Sequence, residues 1–314
     1  IDGDTLVVGI PGDPTSNDSN TTITNGSIPS GSYSSGGADI RGSVAVYKRS
    51  GNNWAAEAYL LPKFSEKPYY KFGYNVDISG DTIAVAPYRD DCPLNTISNN
   101  ISSDPCSASR SDVTTKADSG AIWTFKRSGS NWSNESFIKP ANIRTGLEFG
   151  KYDLSLEDDT LAVCATRDRS SQNYISNTST VEANTSMSLA GALYVYKRSG
   201  NNWTQEAFIK PTNPKTSGWF CGFSSISGDT LIASNCTTTN DFPIFGKDND
   251  TTSNKLVAID SSIYTKSFKF KDGAYRTYDE FRFNSPSLKY EYRRSEIIDD
   301  LKLDLKNDTN VVLY

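Results

Sequence analysis

The sequence predicts an all-β fold assembled from a tandem repeat of four antiparallel strands. Three observations carry this expectation: a string that returns along the whole chain at near-constant spacing, β-branched runs closed by Gly-bearing polar turns, and the near absence of helix-period stretches. The string is Asp4-Thr5-Leu6-Val7-Val8-Gly9. It returns as Asp81-Thr82-Ile83-Ala84-Val85-Ala86, as Asp159-Thr160-Leu161-Ala162-Val163-Cys164 and as Asp229-Thr230-Leu231-Ile232-Ala233-Ser234. A fifth copy, Asp308-Thr309-Asn310-Val311-Val312-Leu313, closes the chain, and the threonines lie 77, 78, 70 and 79 residues apart. A second string keeps the same phase. Tyr47-Lys48-Arg49-Ser50-Gly51-Asn52-Asn53-Trp54 matches Phe125-Lys126-Arg127-Ser128-Gly129-Ser130-Asn131-Trp132 and Tyr196-Lys197-Arg198-Ser199-Gly200-Asn201-Asn202-Trp203, and is eroded to Phe270-Lys271-Asp272-Gly273-Ala274-Tyr275 in the fourth period.

Each period reads as four strands. A short run ending at Val76-Asp77-Ile78 meets the turn Ser79-Gly80-Asp81, and the β-branched run 82–85 follows, which makes a tight hairpin. A long loop leads to a third strand, such as 44–47. The Ser-Gly-Asn-Asn turn then leads to the fourth, 54–61. Alternation places aromatic residues on one face, so Trp54, Trp132, Trp203 and Tyr275 are expected between stacked sheets. The one helical candidate is 295–301. Four-stranded units in tandem stack as the blades of a β-propeller. The blades are expected at about 1–76, 77–154, 155–224 and 225–303 of a single repeat domain, with a partial fifth repeat at 304–314.

With these strings the chain resembles the FG-GAP repeat family, the blade type of the integrin α-subunit head. Phe72-Gly73 and Phe149-Gly150 stand at the "FG" position, and Phe220-Cys221-Gly222 is a disturbed version. The "GAP" position reads Gly9-Ile10-Pro11, Val85-Ala86-Pro87 and Cys164-Ala165-Thr166. The resemblance implies a propeller used for adhesion, scaffolding or surface coats. It is to the compact type of repeat, since the connections Ser79-Gly80-Asp81, Glu157-Asp158-Asp159 and Ser227-Gly228-Asp229 are too short to give the six to eight oxygens that calcium takes. Asp248-Asn249-Asp250 with Asn254 is a poor match to such a loop. No metal and no cofactor are expected. Residues 301–305 could complete the first blade and close a four-bladed ring; otherwise the chain is a fragment of a larger ring, an open array, or a subunit whose terminal hairpin completes a neighbour's blade and polymerises it head to tail.

Composition narrows the function. The chain has no histidine, which removes every Ser-His-Asp and Cys-His mechanism and imidazole-dependent metal sites. A net charge of −5 lacks the basic footprint of nucleic-acid binding. No apolar run is long enough for a membrane-spanning helix.

Five cysteines are present. Cys92 and Cys106 bracket one polar loop and invite a local bridge. Cys221 and Cys236 are symmetric about the Gly228-Asp229 turn, so a cross-strand bridge is expected there. Cys164 is left over, as a small buried thiol or an intermolecular cysteine. Twelve Asn-x-Ser/Thr sequons occur, at Asn17, Asn20, Asn25, Asn100, Asn131, Asn134, Asn177, Asn184, Asn202, Asn235, Asn249 and Asn307. Chance from 25 Asn would give roughly half as many. Sequons with paired cysteines point to a secreted or cell-surface glycoprotein carrying N-linked glycans.

No catalytic constellation emerges. Asp90-Asp91, Asp158-Asp159 and Asp299-Asp300 are adjacent pairs, which point to opposite faces of a strand and cannot flank one bond. Asp13, Asp90 and Asp168 recur at one offset after the second strand and read as loop structure. The Lys-Arg pairs at 48–49, 126–127 and 197–198 could line a rim and bind an acidic glycan, or keep sheet edges soluble. The expected function is therefore non-enzymatic: a structural or adhesive element of a surface coat, appendage or filament, self-associating through its terminal strands. The alternative is an integrin-head-like module that binds a protein or glycan through its blade loops.

Overall fold

A computed structural model describes residues 1–13, 23–27, 41–61, 70–102, 105–106, 116–177 and 185–235, and the backbone of short strands at 244–247, 256–259, 268–269 and 275–276. The described residues are all-β, and none of their elements is a helix long and apolar enough to cross a membrane. The helical candidate at 295–301, the Asp248 loop and the terminal hairpin lie outside the described residues.

The first repeat gives β1 (Thr5–Ile10), β2 (Ile23–Asn25), β3 (Ser43–Ser50) and β4 (Asn53–Leu60), which form one antiparallel sheet in the order β1-β3-β4-β2. The second gives β5 (Asn75–Ser79), β6 (Thr82–Ala86), β7 (Ile97–Asn99), β8 (Ile122–Ser128) and β9 (Asn131–Ile138), in the order β5-β6-β8-β9-β7. The third gives β10 (Leu154–Glu157), β11 (Thr160–Ala165), β12 (Ala192–Ser199) and β13 (Asn202–Ile209), in chain order. The fourth opens with the hairpin β14 (Phe220–Ser227) and β15 (Thr230–Asn235). Two more pairs follow, β16 (Ile244–Lys247) with β17 (Leu256–Ile259), and β18 (Phe268–Lys269) with β19 (Tyr275–Arg276).

The expected four strands join in one sheet in the second and third repeats. The first sheet starts at the second strand of the unit, and the described strands of the fourth form separate pairs. The sheets also carry an element the repeat strings did not announce. The long loop after the second strand returns along the outer edge, where β2 pairs with β4 and β7 with β9. In the third repeat it makes the single bridge Ser176 to Phe208. A short strand of this kind covers an edge that would otherwise stay open.

The sheets stack face to face, and alternation decides which core each side chain enters. Along β6, Ile83 and Val85 join the cluster shared with the first sheet, whereas Ala84 and Ala86 join the one shared with the third. Along β11, Leu161, Val163 and Ala165 face the second sheet, while Ala162 and Cys164 face β14–β15. Strands buried on both faces read as unbroken apolar runs, which is why the string at 82–86 and 160–165 lacks polar alternation after its threonine. Each middle hairpin bulges at one place, Val46/Tyr47, Thr124/Phe125 and Val195/Tyr196. The bulge lets the aromatic residue face a core while Lys-Arg reaches the turn.

The crossover from sheet to sheet relies on close backbone approach. Gly120 lies at φ 80° and pairs in parallel with Phe149 at the start of the third repeat. A Cβ on Gly120 would stand 2.4 Å from the Phe149 carbonyl oxygen. Only glycine tolerates both the left-handed φ and that distance.

Candidate functional site

The Lys-Arg and Trp positions of the repeat build latches between sheets. In the third repeat, Arg198 Nε donates to Asp159 Oδ1 at 2.7 Å. Its Nη1 reaches back to the second sheet, donating to Thr82 Oγ1 at 2.8 Å and pairing with Glu135 Oε1 at 3.1 Å. The guanidinium lies 5.1 Å over the Trp203 ring, and the indole Nε1 donates to Glu135 Oε2 at 3.0 Å. Arg127 repeats every part of this against Asp81, Thr5, Glu57 and Trp132. Arginine suits the position because its planar fork serves several acceptors and stacks at the same time. Arg49 of the first repeat binds Asp4 and stacks on Trp54, yet both side chains are largely exposed, with Trp54 41% exposed against 1% for Trp203. Two of the Lys-Arg pairs expected at a rim therefore spend their arginines inside sheet-to-sheet contacts.

A second recurrent device surrounds the aspartates at 13, 90 and 168, which are all buried. Fully buried Lys139 donates to Asp90 Oδ1 at 2.7 Å, Ser119 Oγ at 2.8 Å and the Gly120 carbonyl at 2.6 Å. Lys210 does the same for Asp168 at 3.1 Å. Burial lowers the Lys139 ammonium, and the Asp90 charge works against that shift. Burial pushes Asp168 up, but Lys210 and Arg144 hold its carboxyl below the usual range. The first repeat has Leu61 where these lysines stand, and there Asp13 accepts from Ser43 Oγ at 2.5 Å and from the Tyr59 hydroxyl. The recurrent aspartates anchor their loops, with a buried cation for Asp90 and Asp168 and hydroxyl donors for Asp13.

The cysteines correct one expectation. Cys92 is bonded to Cys106, with Cα atoms 5.8 Å apart. Cys221 is bonded to Cys164, at a Cα separation of 5.2 Å, and not to Cys236. The reason is register. Ser224 faces Ala233, but Phe220 faces Asn235, so a two-residue slip near the start of β14 moves Cys221 out of line with position 236. Cys236 itself lies outside the described residues. Cys221 stands where the earlier repeats have Gly73 and Gly150, and Cys164 stands where they have Gly9 and Ala86. Those pairs already touch: a Cβ on Gly150 would lie 2.9 Å from that of Ala86. The disulfide thus covalently joins two sheets at a junction the repeat brings together, which also withdraws Cys164 as an intermolecular cysteine.

The sequons divide. Asn100, Asn131, Asn177 and Asn202 are exposed, and Asn131 and Asn202 end the same turn in successive repeats. Asn134 is half-buried within β9. Asn25 is exposed as well and ends β2, with its carboxamide against the backbone of Trp132. Asn235 is described by its backbone alone, and Asn17, Asn20, Asn184, Asn249 and Asn307 lie outside the described residues.

An exposed aromatic ladder is present as well. At the loop end of the junction between the second and third sheets, Tyr74 packs against Tyr88 with ring centroids 4.6 Å apart. Lys151 Nζ lies 5.0 Å from the Tyr88 ring and 5.3 Å from that of Tyr152, and Tyr152 meets Trp219 at 6.2 Å. Tyr74 and Tyr152 are exposed, and Glu148 Oε2 binds Lys151 at 2.7 Å and Arg167 at 3.0 Å. Lys71, Glu148 and Trp219, each just before the repeat's phenylalanine, all hold left-handed φ values of 50–64°. This aromatic ladder was not singled out by motif, because Tyr74, Lys151 and Tyr152 differ from repeat to repeat. No group of His, Cys, Asp and Glu suited to a metal ion occurs among the described residues. Neither protein-family models nor curated proteins give a match to this chain.

Proposed function

We propose that this chain is a non-enzymatic extracellular glycoprotein, built from FG-GAP-like propeller blades and used as a structural or adhesive element of a surface coat, appendage or filament. The observation that carries the reading is the consumption of the repeat's charged residues in holding sheets together: Arg127, Arg198, Glu57 and Glu135 form latches, and Asp90, Asp168, Lys139 and Lys210 form buried anchors. Disulfides within one loop and between sheets support an oxidising compartment. Self-association through terminal repeats belongs to the same reading. The first sheet presents Arg49 and Trp54 exposed, a latch half shaped to receive the Glu- and Thr-bearing face of another blade.

A second reading, a binding module for a protein or glycan, is favoured by the ladder Tyr74–Tyr88–Lys151–Tyr152. Exposed aromatic faces beside a cation suit stacking against a sugar or a side chain. The test of the main reading is a panel of glycosides, esters and phosphodiesters offered to the purified chain. It predicts no turnover above buffer. Turnover lost on changing a single Asp or Glu overturns it.

A further inference from the structure

We infer that Asn25, although an exposed sequon, is kept bare of N-glycan because its carboxamide is an inter-sheet clasp. The inference rests on the glycoprotein reading above. Asn25 Oδ1 accepts the Trp132 N–H at 3.0 Å, and its Nδ2 faces the Trp132 carbonyl at 3.5 Å. Asn99, at the same place in the second repeat, makes the same pair with Trp203 at 2.9 and 3.1 Å, and Ser136 Oγ adds a bond of 2.7 Å to its Oδ1. In each case one side-chain amide substitutes for a strand, reading the N–H and C=O of a single tryptophan whose indole is latched to the preceding sheet.

This geometry is incompatible with a linked sugar. An N-glycosylated asparagine carries a trans secondary amide, in which the sugar carbon replaces the Nδ2 hydrogen on the oxygen's side. That hydrogen is the one a two-point clasp aims at the tryptophan carbonyl. A sugar attached to Asn25 before folding would stand where Trp132 must dock, so chains bearing it cannot seat the second sheet on the first. Asn99 meets no such conflict, since Asn99-Asn100-Ile101 is not a sequon. Asn131 and Asn202 are placed differently. They lie at the exposed ends of homologous turns, and Asn100 Nδ2 reaches Asn202 Oδ1 at 3.3 Å from the neighbouring sheet. Asn177 follows the Ser176–Phe208 bridge and so holds the place of Asn25 and Asn99 in the third repeat, but there no clasp to a tryptophan occurs among the described residues.

The test is site mapping on the full chain secreted from a glycosylating eukaryotic host. Enzymatic deglycosylation in heavy-oxygen water marks each formerly occupied Asn for peptide mass spectrometry. The expected result is label among Asn100, Asn131, Asn177 and Asn202 and none at Asn25. Label at Asn25 in the folded, secreted fraction overturns the inference alone, whereas no label at any sequon overturns the glycoprotein reading with it. The clasp has its own readout: Asn25→Ala and Asn99→Ala both lower the urea midpoint, while Asn202→Gln leaves it in place. An Asn25→Ala midpoint equal to that of the parent chain removes the clasp and the reason for a bare site.

Discussion

Arg198→Ala and Arg49→Ala remove the same residue of the same string, and the structure gives them very different costs. Arg198 is 6% exposed and its partner Glu135 4% exposed, so deleting the guanidinium strands a buried carboxylate beside the Trp203 indole. Removing one partner of a buried pair costs about 3–5 kcal/mol. The bond to Thr82 and the stacking on Trp203 are lost with it. Arg49 and Asp4 are 43% and 54% exposed, and a solvent-exposed pair is worth about 0–1 kcal/mol. The difference, about 3 kcal/mol, is roughly a hundredfold in the folded-to-unfolded ratio. Urea unfolding of the full chain, followed by tryptophan fluorescence and circular dichroism together, reads it directly. Arg198→Lys is expected to recover less than half of the loss, because a point charge cannot serve Asp159, Thr82 and Glu135 at once. Equal costs for the two alanine variants would refute the latch as the reason for the repeated arginine.

The remaining predictions address other parts of the stack. Asp153 accepts the Ser224 N–H and its hydroxyl, and burial pushes its carboxyl up to about 6. Its folded pKa therefore lies above the unfolded value, so the native state holds the extra proton between about pH 4 and 6 and stability rises as pH falls through that window. Asp153→Asn should remove that slope, and an unchanged slope would reject the assignment. Tyr196 is fully buried with its hydroxyl unpartnered, and the second repeat has Phe125 in its place, so Tyr196→Phe is expected to stabilise by about 1 kcal/mol in the same denaturation assay. Cys164→Ser opens a 57-residue loop and should cost about 4 kcal/mol by chain entropy, against about 3 for the 14-residue loop at Cys92. Alkylation of the unreduced, denatured chain is expected to label Cys236 alone, and label on Cys164 would contradict the pairing.

Much of the fold was legible because repetition exposes it. The Asp-Thr string marked the second strand of the first four units and the Lys-Arg-Ser-Gly string marked the third strand and its turn in the first three, and these fall where the sheets place them. The later copies lie, but for Tyr275, outside the described residues. The strands β2 and β7 escaped because they are three residues each, set in loops whose composition is Ser, Thr and Asn. The Cys164–Cys221 bond escaped for a different reason. Counting outward from the Gly228-Asp229 turn assumes an unbroken ladder, and the slip between Phe220 and Ser224 breaks it. A signal for the true partner was present: Cys164 and Cys221 replace residues that are small in the earlier repeats, Gly9 and Ala86 at one position and Gly73 and Gly150 at the other. Glu57 and Glu135 were readable too, three residues after each tryptophan, but their role needs the neighbouring sheet and so cannot be seen within one repeat.

If the latched sheets serve as a structural element outside the cell, electron microscopy of the native, unreduced protein will show regular assemblies that repeat at the dimension of one chain and that are lost when Arg49 and Trp54 are both replaced by alanine. Discrete single particles at every concentration, with no lateral or end-to-end order, would contradict it and bring the aromatic ladder and its ligand to the front.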